Sequence, residues 1–174
     1  EVSTMGKLAD WGFTKDSWKG THGEYWVLAQ GLILVGFALL PQWHPAGWDL
    51  WPQGVTYLRG AIALSFASFA VILLGRGLID LGDNLTPLPY PREDSSLVQT
   101  GIYGWVRHCL YSGLIFGTAA YSLWTLSLPH FVVTGMLLII LDLKARKEEA
   151  WLCDRFPEYA DYRQQVSKFI PWLY

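Results

Sequence analysis

The residues that could do chemistry in this sequence are a few ionisable side chains inside or beside long apolar stretches. They are Arg76, Asp80, Arg107, His108, Glu148 and Glu149. Ionisable groups at membrane depth are costly to keep, which makes them functional candidates. Arg76 and Asp80 are four residues apart, so on a helix they share one face and can pair or line a polar pocket. The set predicts one polar site on one side of an apolar protein.

Two of these features have ordinary structural alternatives. Arg107 and His108 could simply anchor the start of a helix at the lipid headgroups, and the pattern alone favours both interpretations equally. Glu148 follows Lys144 by four residues, which is also the spacing of a solvent-exposed ion pair on a helix. Taken singly, therefore, these residues do not define a site.

The cysteines and the other histidines predict no metal site. Cys109 and Cys153 are the only cysteines, and their spacing fits neither zinc nor a disulfide-rich framework, which favours reduced thiols. His22, His44 and His130 have no ligand spacing, so we expect structural roles for them.

The composition predicts a membrane protein. Hydrophobic residues make up 52% of the chain and charged residues 16%, against about 25% charged in soluble domains. The 10 Trp and 9 Tyr are typical of rings that collect at the headgroup level of a bilayer. A net charge of −2 lacks the basic surface that a nucleic-acid partner requires.

Four apolar stretches predict an all-α protein with about four transmembrane helices. They cover residues 25–40, 57–74, 109–126 and 131–143. The first is slightly shorter than the ~17–25 residues that span a bilayer, so flanking aromatic residues must complete it. The second pattern continues to Asp80. In the third, Gly113 and Gly117 provide a small-residue surface on which a neighbouring helix can pack closely.

The basic residues predict the orientation. They precede the first span, lie between the second and third, and follow the fourth, whereas the opposite side has only Arg59. Positive residues concentrate on the cytoplasmic side, so both termini are predicted there, or on the stromal side of a plastid membrane. Residues 1–23 are predicted to form an interfacial arm, and residues 24–174 a single transmembrane domain.

An amphipathic tail follows the fourth span. Its apolar residues recur at steps of three and four and form one face: Leu152, Phe156, Tyr159, Tyr162, Val166 and Phe169. Pro157 is predicted to end one helical stretch and open another. The tail is therefore expected to fold back along the membrane surface or over the mouth of the bundle.

Two motifs in this order resemble those of the integral membrane methyltransferases, which include isoprenylcysteine carboxyl methyltransferases and phospholipid N-methyltransferases. The segment 101–111, GIYGWVRHCLY, is similar to their G-x-Y…R-H-P-x-Y signature, and 148–171 resembles their E-E-x-x-L-x-x-x-F-x-x-Y-x-x-Y…P ending. The proline-rich loop that begins at Asn84 is similar to that of bacterial, cyanobacterial and plastid members. The resemblance covers about residues 57–171.

This resemblance implies S-adenosylmethionine bound at the cytoplasmic end of the bundle, with no metal, and a lipid or lipid-linked methyl acceptor. Arg107 and Glu148 are the predicted catalytic residues. The predicted cofactor-binding residues are Gly101, Tyr103, Arg107, His108, Tyr111, Glu148, Glu149 and Leu152. A carboxylate can stabilise the amino or sulfonium charge of such a cofactor while an arginine holds its carboxylate. The tail is expected to act as a lid.

One departure from the family pattern leaves a second hypothesis open. Cys109 stands where the family has proline, which would stiffen the first turn of the third helix. A non-catalytic structural or assembly subunit of a larger membrane complex, such as a photosynthetic one, is therefore the alternative. The predicted location is a bacterial inner membrane or a plastid membrane, either thylakoid or envelope. The predicted partners are lipids, the lipophilic acceptor and other membrane subunits, with no nucleic acid.

Overall fold

The computed structural model describes residues 23–48, 50–86, 88, 90 and 95–174. The regular elements of these residues are helices, and one isolated β-bridge joins Val106 to Ser167. The helices are α1 (Glu24–Leu39), α2 (Gln53–Leu81), α3 (Cys109–Thr125), α4 (Leu128–Arg155) and α5 (Tyr159–Gln165). Two short 3-10 turns lie at Gly82–Asn84 and Gly101–Gly104. The predicted all-α class is confirmed. The predicted arm lies, apart from Gly23, outside the described residues.

Two of the four predicted spans are long enough to cross a bilayer on their own. Among the described helices, α2 with 29 residues and α4 with 28 residues meet the length and hydropathy expected of a span, and α1 is a shorter apolar helix of 16 residues. Helix α3 has 17 residues. The chain is a membrane protein, and the side on which its termini lie stays a prediction.

Prolines and one left-handed residue set the helix ends. Leu126 has a φ of 51° and ends α3, and α4 restarts with Pro129 in its first turn, where its missing N–H costs nothing. Phe156 is extended directly before Pro157, because a residue preceding proline is disfavoured in the helical region. The predicted break and the predicted end of α4 are both confirmed.

Helices α2 and α3 pack together through small residues. A Cβ on Gly113 would lie 2.5 Å from Leu74 Cγ, and one on Gly77 would lie 2.7 Å from Cys109 Sγ. Phe116 makes edge contacts with Phe69 on α2, with ring centroids 4.9 Å apart. The predicted close approach at Gly113 is therefore present, because only glycine leaves this space.

The bundle has two ends that differ in chemistry. The tail end comprises the close of α2, the Gly101–Gly104 turn, the start of α3 and the last turns of α4. The hairpin end comprises the connection 40–52 and the turn between α3 and α4. The main buried apolar cluster lies at the tail end; its members are Leu73, Tyr103, Val106 and Cys109.

Candidate active site

A glycine turn fixes the entry to α3. Gly101 has a φ of 62°, and a Cβ there would overlap the carboxylate of Asp80. That carboxylate accepts a hydrogen bond of 2.7 Å from the backbone N–H of Ile102. Arg76 is exposed and forms no ion pair with Asp80, so of the two predicted alternatives, pairing or lining a polar pocket, the pairing is wrong. Asp80 instead holds the turn that leads to Arg107.

Arg107 is the centre of a buried hydrogen-bond network. Its Nε and Nη2 donate to Glu149 Oε1 at 3.1 and 3.0 Å, and its Nη1 donates to the carbonyl oxygens of Arg163 (2.9 Å) and Val166. The Arg107 and Glu149 side chains are 8% and 9% exposed. A buried charge requires such partners, because desolvation is otherwise too costly. Four of the five guanidinium N–H groups are therefore committed to holding α4 and the tail.

His108 joins the two glutamates. Its Nε2 lies 3.0 Å from Glu149 Oε1, and its Nδ1 lies 3.7 Å from Glu148 Oε2. Its ring stacks on that of Tyr111, with centroids 5.3 Å apart and planes 8° apart. The Tyr111 hydroxyl donates to Glu148 Oε2 at 2.7 Å. The motif residues of α3 and α4, 37 or more positions apart in sequence, thus meet in one cluster.

The tail folds back over this cluster. The backbone N–H groups of Arg107 and His108 donate to the carbonyl oxygens of Ser167 (2.9 Å) and Lys168 (3.2 Å). Ser112 Oγ donates to Phe169 O at 2.8 Å, within the first turn of α3. These contacts place the end of the tail along the start of α3, in agreement with a tail that returns over the bundle.

An open cavity lies between the charged cluster and the tail. Five of the predicted residues line it: Tyr103, Arg107, His108, Glu148 and Leu152. Tyr111 and Glu149 lie behind this wall and hold Glu148, His108 and Arg107 by hydrogen bonds, and Gly101 shapes the turn. The other side of the cavity is formed by residues of the loop after α2 and by Phe156, Tyr159 and Tyr162.

Sequence analysis missed the tail tyrosines as site residues. Tyr159 and Tyr162 were assigned to an apolar face, which their 2% and 6% exposures agree with, yet both line the cavity. The Tyr162 hydroxyl donates to Tyr103 O at 2.5 Å. The Tyr159 hydroxyl is buried and has no hydrogen-bond partner. Tyr159 and Tyr162 differ from the other residues of that apolar face because each carries a phenolic oxygen. This polar atom is the sequence signal that could have identified them as site residues.

Burial controls the protonation of these phenols. It raises the pKa of Tyr103, Tyr159 and Tyr162 well above the usual range, because the phenolate is disfavoured away from water. For Tyr159 the negative charges of Glu149 and Glu148 add to this effect. All three are therefore neutral hydrogen-bond donors at physiological pH.

The fold is similar to that of an integral membrane methyltransferase of known structure. The chain is similar to the solved structure of the eukaryotic intramembrane Ras methyltransferase, isoprenylcysteine carboxyl methyltransferase, with a TM-score of 0.61 and 23% identity, covering 92% of this chain and 57% of that one. At this identity the likeness shows the fold alone. No family model matches the chain.

Curated relatives support the same class. The chain is 36% identical over 85 residues to protein-S-isoprenylcysteine O-methyltransferase of Saccharomyces cerevisiae, covering 47% of this chain and 35% of the relative. It is 26% identical over 147 residues to methanethiol S-methyltransferase 1 of Bradyrhizobium diazoefficiens, covering 75% of this chain and 48% of the relative. The chain thus spans a third to a half of the length of these relatives. The predicted resemblance to membrane methyltransferases is confirmed.

Proposed function

We propose that this protein transfers a methyl group from S-adenosylmethionine to a lipid or lipid-linked acceptor within the membrane. The observation that carries the proposal is the cavity of about 110 Å³ beside Arg107, His108 and Glu148, which side chains do not fill. A space of this volume holds part of the cofactor, since small-molecule pockets usually measure about 300–1,000 Å³. A structural subunit without a ligand has no need of this space, because empty polar cavities cost stability.

The residues around the cavity fit this cofactor. Glu148 lines the cavity with a side chain that is 25% exposed, so its carboxylate can stabilise the ammonium and sulfonium charges. The unpartnered hydroxyl of Tyr159 is a donor suited to the cofactor's carboxylate or ribose oxygens. When bound, S-adenosylmethionine supplies an electrophilic methyl group. The chain's part is then to align the acceptor with it and to exclude water.

We assign Arg107 a role that differs from the catalytic role predicted from the sequence. Since four of its N–H groups are already used, we assign it mainly to holding Glu149 and the tail in place. One Nη2–H is left to donate into the cavity. Glu148 and Tyr159 are therefore the residues that we expect to contact the cofactor most directly.

A second space suits a lipophilic acceptor. An apolar groove of about 590 Å³ lies on the other side of the His108–Ser112 turn, and its size falls in the range of small-molecule pockets. Its walls are formed mainly by apolar residues of α3 and α4, with Phe169, Ile170 and Tyr174 of the tail at one end. The ring centroids of Phe169 and His108 are 5.9 Å apart, so the two spaces are neighbours.

The departure at Cys109 is accommodated by packing. Cys109 is fully buried, and its Sγ occupies the space that the missing side chain of Gly77 leaves. The first turn of α3 is further held by Ser112, whose Oγ donates to His108 O at 3.1 Å. These contacts restrain the turn in the absence of proline, which favours the enzyme over the structural subunit.

Calorimetric titration of the full chain in detergent with S-adenosylmethionine tests the proposal. We expect binding by the wild-type protein, weakened about 10- to 100-fold by Glu148→Gln, since a hydrogen bond to a charged group is lost. Glu158→Gln, an exposed carboxylate outside the cavity, is the matched control and should bind normally. Absence of binding at millimolar cofactor would instead favour the structural subunit.

The membrane is inferred from the loop resemblance, and the acceptor from the apolar groove. The loop resemblance suggests a bacterial inner membrane or a plastid membrane, whereas the two relatives above come from a yeast and a bacterium. The names of those relatives point to isoprenylcysteine and methanethiol as acceptors, both of which carry sulfur. We infer an apolar acceptor from the groove alone, and lipid extracts from the host membrane would be its first test in a methyl-transfer assay.

A further inference from the structure

Lys144 is a buried cation that the proposed function does not yet use. It lies on α4 one helical turn before Glu148 and is 3% exposed, so the solvent-exposed pair considered from the sequence is wrong. Burying an ammonium group is costly unless the protein provides partners for it. Its neighbours therefore indicate what it does.

The neighbours of Lys144 come from both sides of α4. Its Nζ donates to Gln30 Oε1 on α1 at 2.9 Å. The same Nζ lies 4.9 Å from the centroid of the Tyr111 ring, within the distance of a cation–π interaction. Tyr111 in turn donates to Glu148. A continuous path thus runs from α1 through Lys144 and Tyr111 to the cavity wall.

The charges of the cluster show why a cation is needed there. Glu148 and Glu149 contribute two negative charges, and Arg107 contributes one positive charge and is bound to Glu149 alone of the two. Glu148 has Tyr111 as a neutral donor and His108 at 3.7 Å. Lys144, one helical turn before Glu148 on α4, adds a positive charge beside this cluster, and its ammonium group lies over the ring of Tyr111, which donates to Glu148.

We propose that Lys144 is a positioning residue of the cavity, which holds Tyr111 and through it orients Glu148, and which makes α1 a part of the site through Gln30. The effect on the cofactor rests on the proposed function. The effect on Glu148 does not, so the two can be tested separately.

Labelling with dicyclohexylcarbodiimide, followed by peptide mass spectrometry, tests how firmly Glu148 is held. This apolar reagent modifies carboxyl groups at membrane depth. In Lys144→Met we expect Glu148 to be labelled about tenfold faster than in the wild type, because Tyr111 loses the cation over its ring and no longer holds that carboxylate by a hydrogen bond. Lys147→Met is the matched control, since Lys147 is exposed on the same helix and lies over Trp151 instead; its labelling should equal that of the wild type.

Two further variants separate charge from folding. Lys144→Arg keeps the charge and should keep the slow labelling of Glu148. Gln30→Met keeps Lys144 but removes its hydrogen bond, and we expect an intermediate rate. Equal labelling of Glu148 in wild type, Lys144→Met and Gln30→Met, with normal elution of each in size-exclusion chromatography, would overturn the proposal.

Cofactor affinity gives the second measurement. By calorimetry Lys144→Met should weaken S-adenosylmethionine binding about tenfold, as expected when a charge-assisted contact is lost, and Lys144→Arg should restore most of it. If the wild type binds no cofactor but Lys144→Met still speeds the labelling, the proposed function fails and the role of Lys144 stands. If the wild type binds and Lys144→Met binds equally well, Lys144 has no part in the site.

Discussion

Two buried histidines, one at each end of the bundle, show how different polar clusters can look alike in sequence. His108 is 6% exposed and His130 is 1% exposed. At the tail end, His108 contacts two carboxylates from α4 and lines an open cavity. At the hairpin end, His130 Nδ1 lies 2.6 Å from Ser127 Oγ, three residues away. Burial alone therefore does not distinguish a site from a structural joint.

The partners of the two histidines explain the difference. His130 packs edge-on against Phe37 of α1, with centroids 4.8 Å apart, and its bonded partner Ser127 accepts from the backbone N–H of Trp43 at 3.2 Å. Leu128 N also donates to Trp43 O at 2.8 Å. These contacts join residues of the 40–52 connection to the turn between α3 and α4, so the cluster fastens the two segments together. Charged groups from distant segments, together with empty space, mark the other end.

Among the substitutions that test this comparison, Glu149→Gln is expected to have the largest effect on the free energy of unfolding. It removes the carboxylate shared by Arg107 and His108 and leaves a buried arginine without a counter-charge, which costs about 3–5 kcal/mol. Thermal unfolding in detergent should show this loss, together with lost cofactor binding. A variant as stable as the wild type would mean that Arg107 finds another partner, and the tail end would then be no more dependent on charge than the hairpin end.

A glycine at each end gives a matched pair with a smaller effect. Gly101→Ala places a Cβ on the Asp80 carboxylate at a φ of 62°, whereas Gly47 has a φ of 90° with no atom within 4 Å of its Cβ position. Gly47→Ala should cost only backbone strain, about 1–2 kcal/mol. Gly101→Ala should add the lost Asp80–Ile102 bond, about 0.5–1.5 kcal/mol more.

The measurement for this pair is thermal unfolding combined with cofactor titration. Only Gly101→Ala should also weaken binding, because its turn leads to Arg107. Equal effects of the two substitutions on both measurements would show that the glycine turn does not position the site.

The smallest effect is expected from Ser127→Ala at the hairpin end. It leaves the Trp43 N–H and the His130 ring without their partner, a cost of about 1–2 kcal/mol in unfolding free energy. Cofactor affinity should be unchanged, because the cluster lies at the opposite end of the bundle from the cavity. A change in affinity as large as that in Glu148→Gln would contradict the separation of the two ends.

The helices could be predicted from the sequence because lipid imposes a simple rule on them. Apolar runs bounded by Pro41, Pro129 and Pro157 place α1 and α4 within a few residues, since every buried backbone group must be satisfied inside the helix. The motifs likewise brought Arg107, His108 and Glu148 together correctly. The local pattern could not show that Arg107 donates hydrogen bonds to the carbonyl oxygens of Arg163 and Val166. Those contacts depend on where the tail folds back onto the bundle.

Errors arose where a residue's partner lies on another segment. The spacing of Arg76 and Asp80 allowed them to pair or to line a polar pocket, but Asp80 binds the backbone of Ile102, 22 positions away. The spacing of Lys144 and Glu148 suggested an ion pair on the surface. Lys144 is instead buried and donates a hydrogen bond to Gln30 of α1, which lies 114 positions earlier in the sequence. Helical spacing predicts which residues share a face, and it does not predict what that face meets.

The return of the tail onto Arg107 and His108 also imposes an order on biogenesis. The hydrophobic helices can enter the bilayer as they leave the ribosome, but the guanidinium lacks two of its carbonyl partners until Arg163 and Val166 have been synthesised and docked. The cavity is accordingly incomplete until the tail has been synthesised and docked. During membrane insertion, quality-control factors would encounter an assembled bundle whose charged end is still open to solvent.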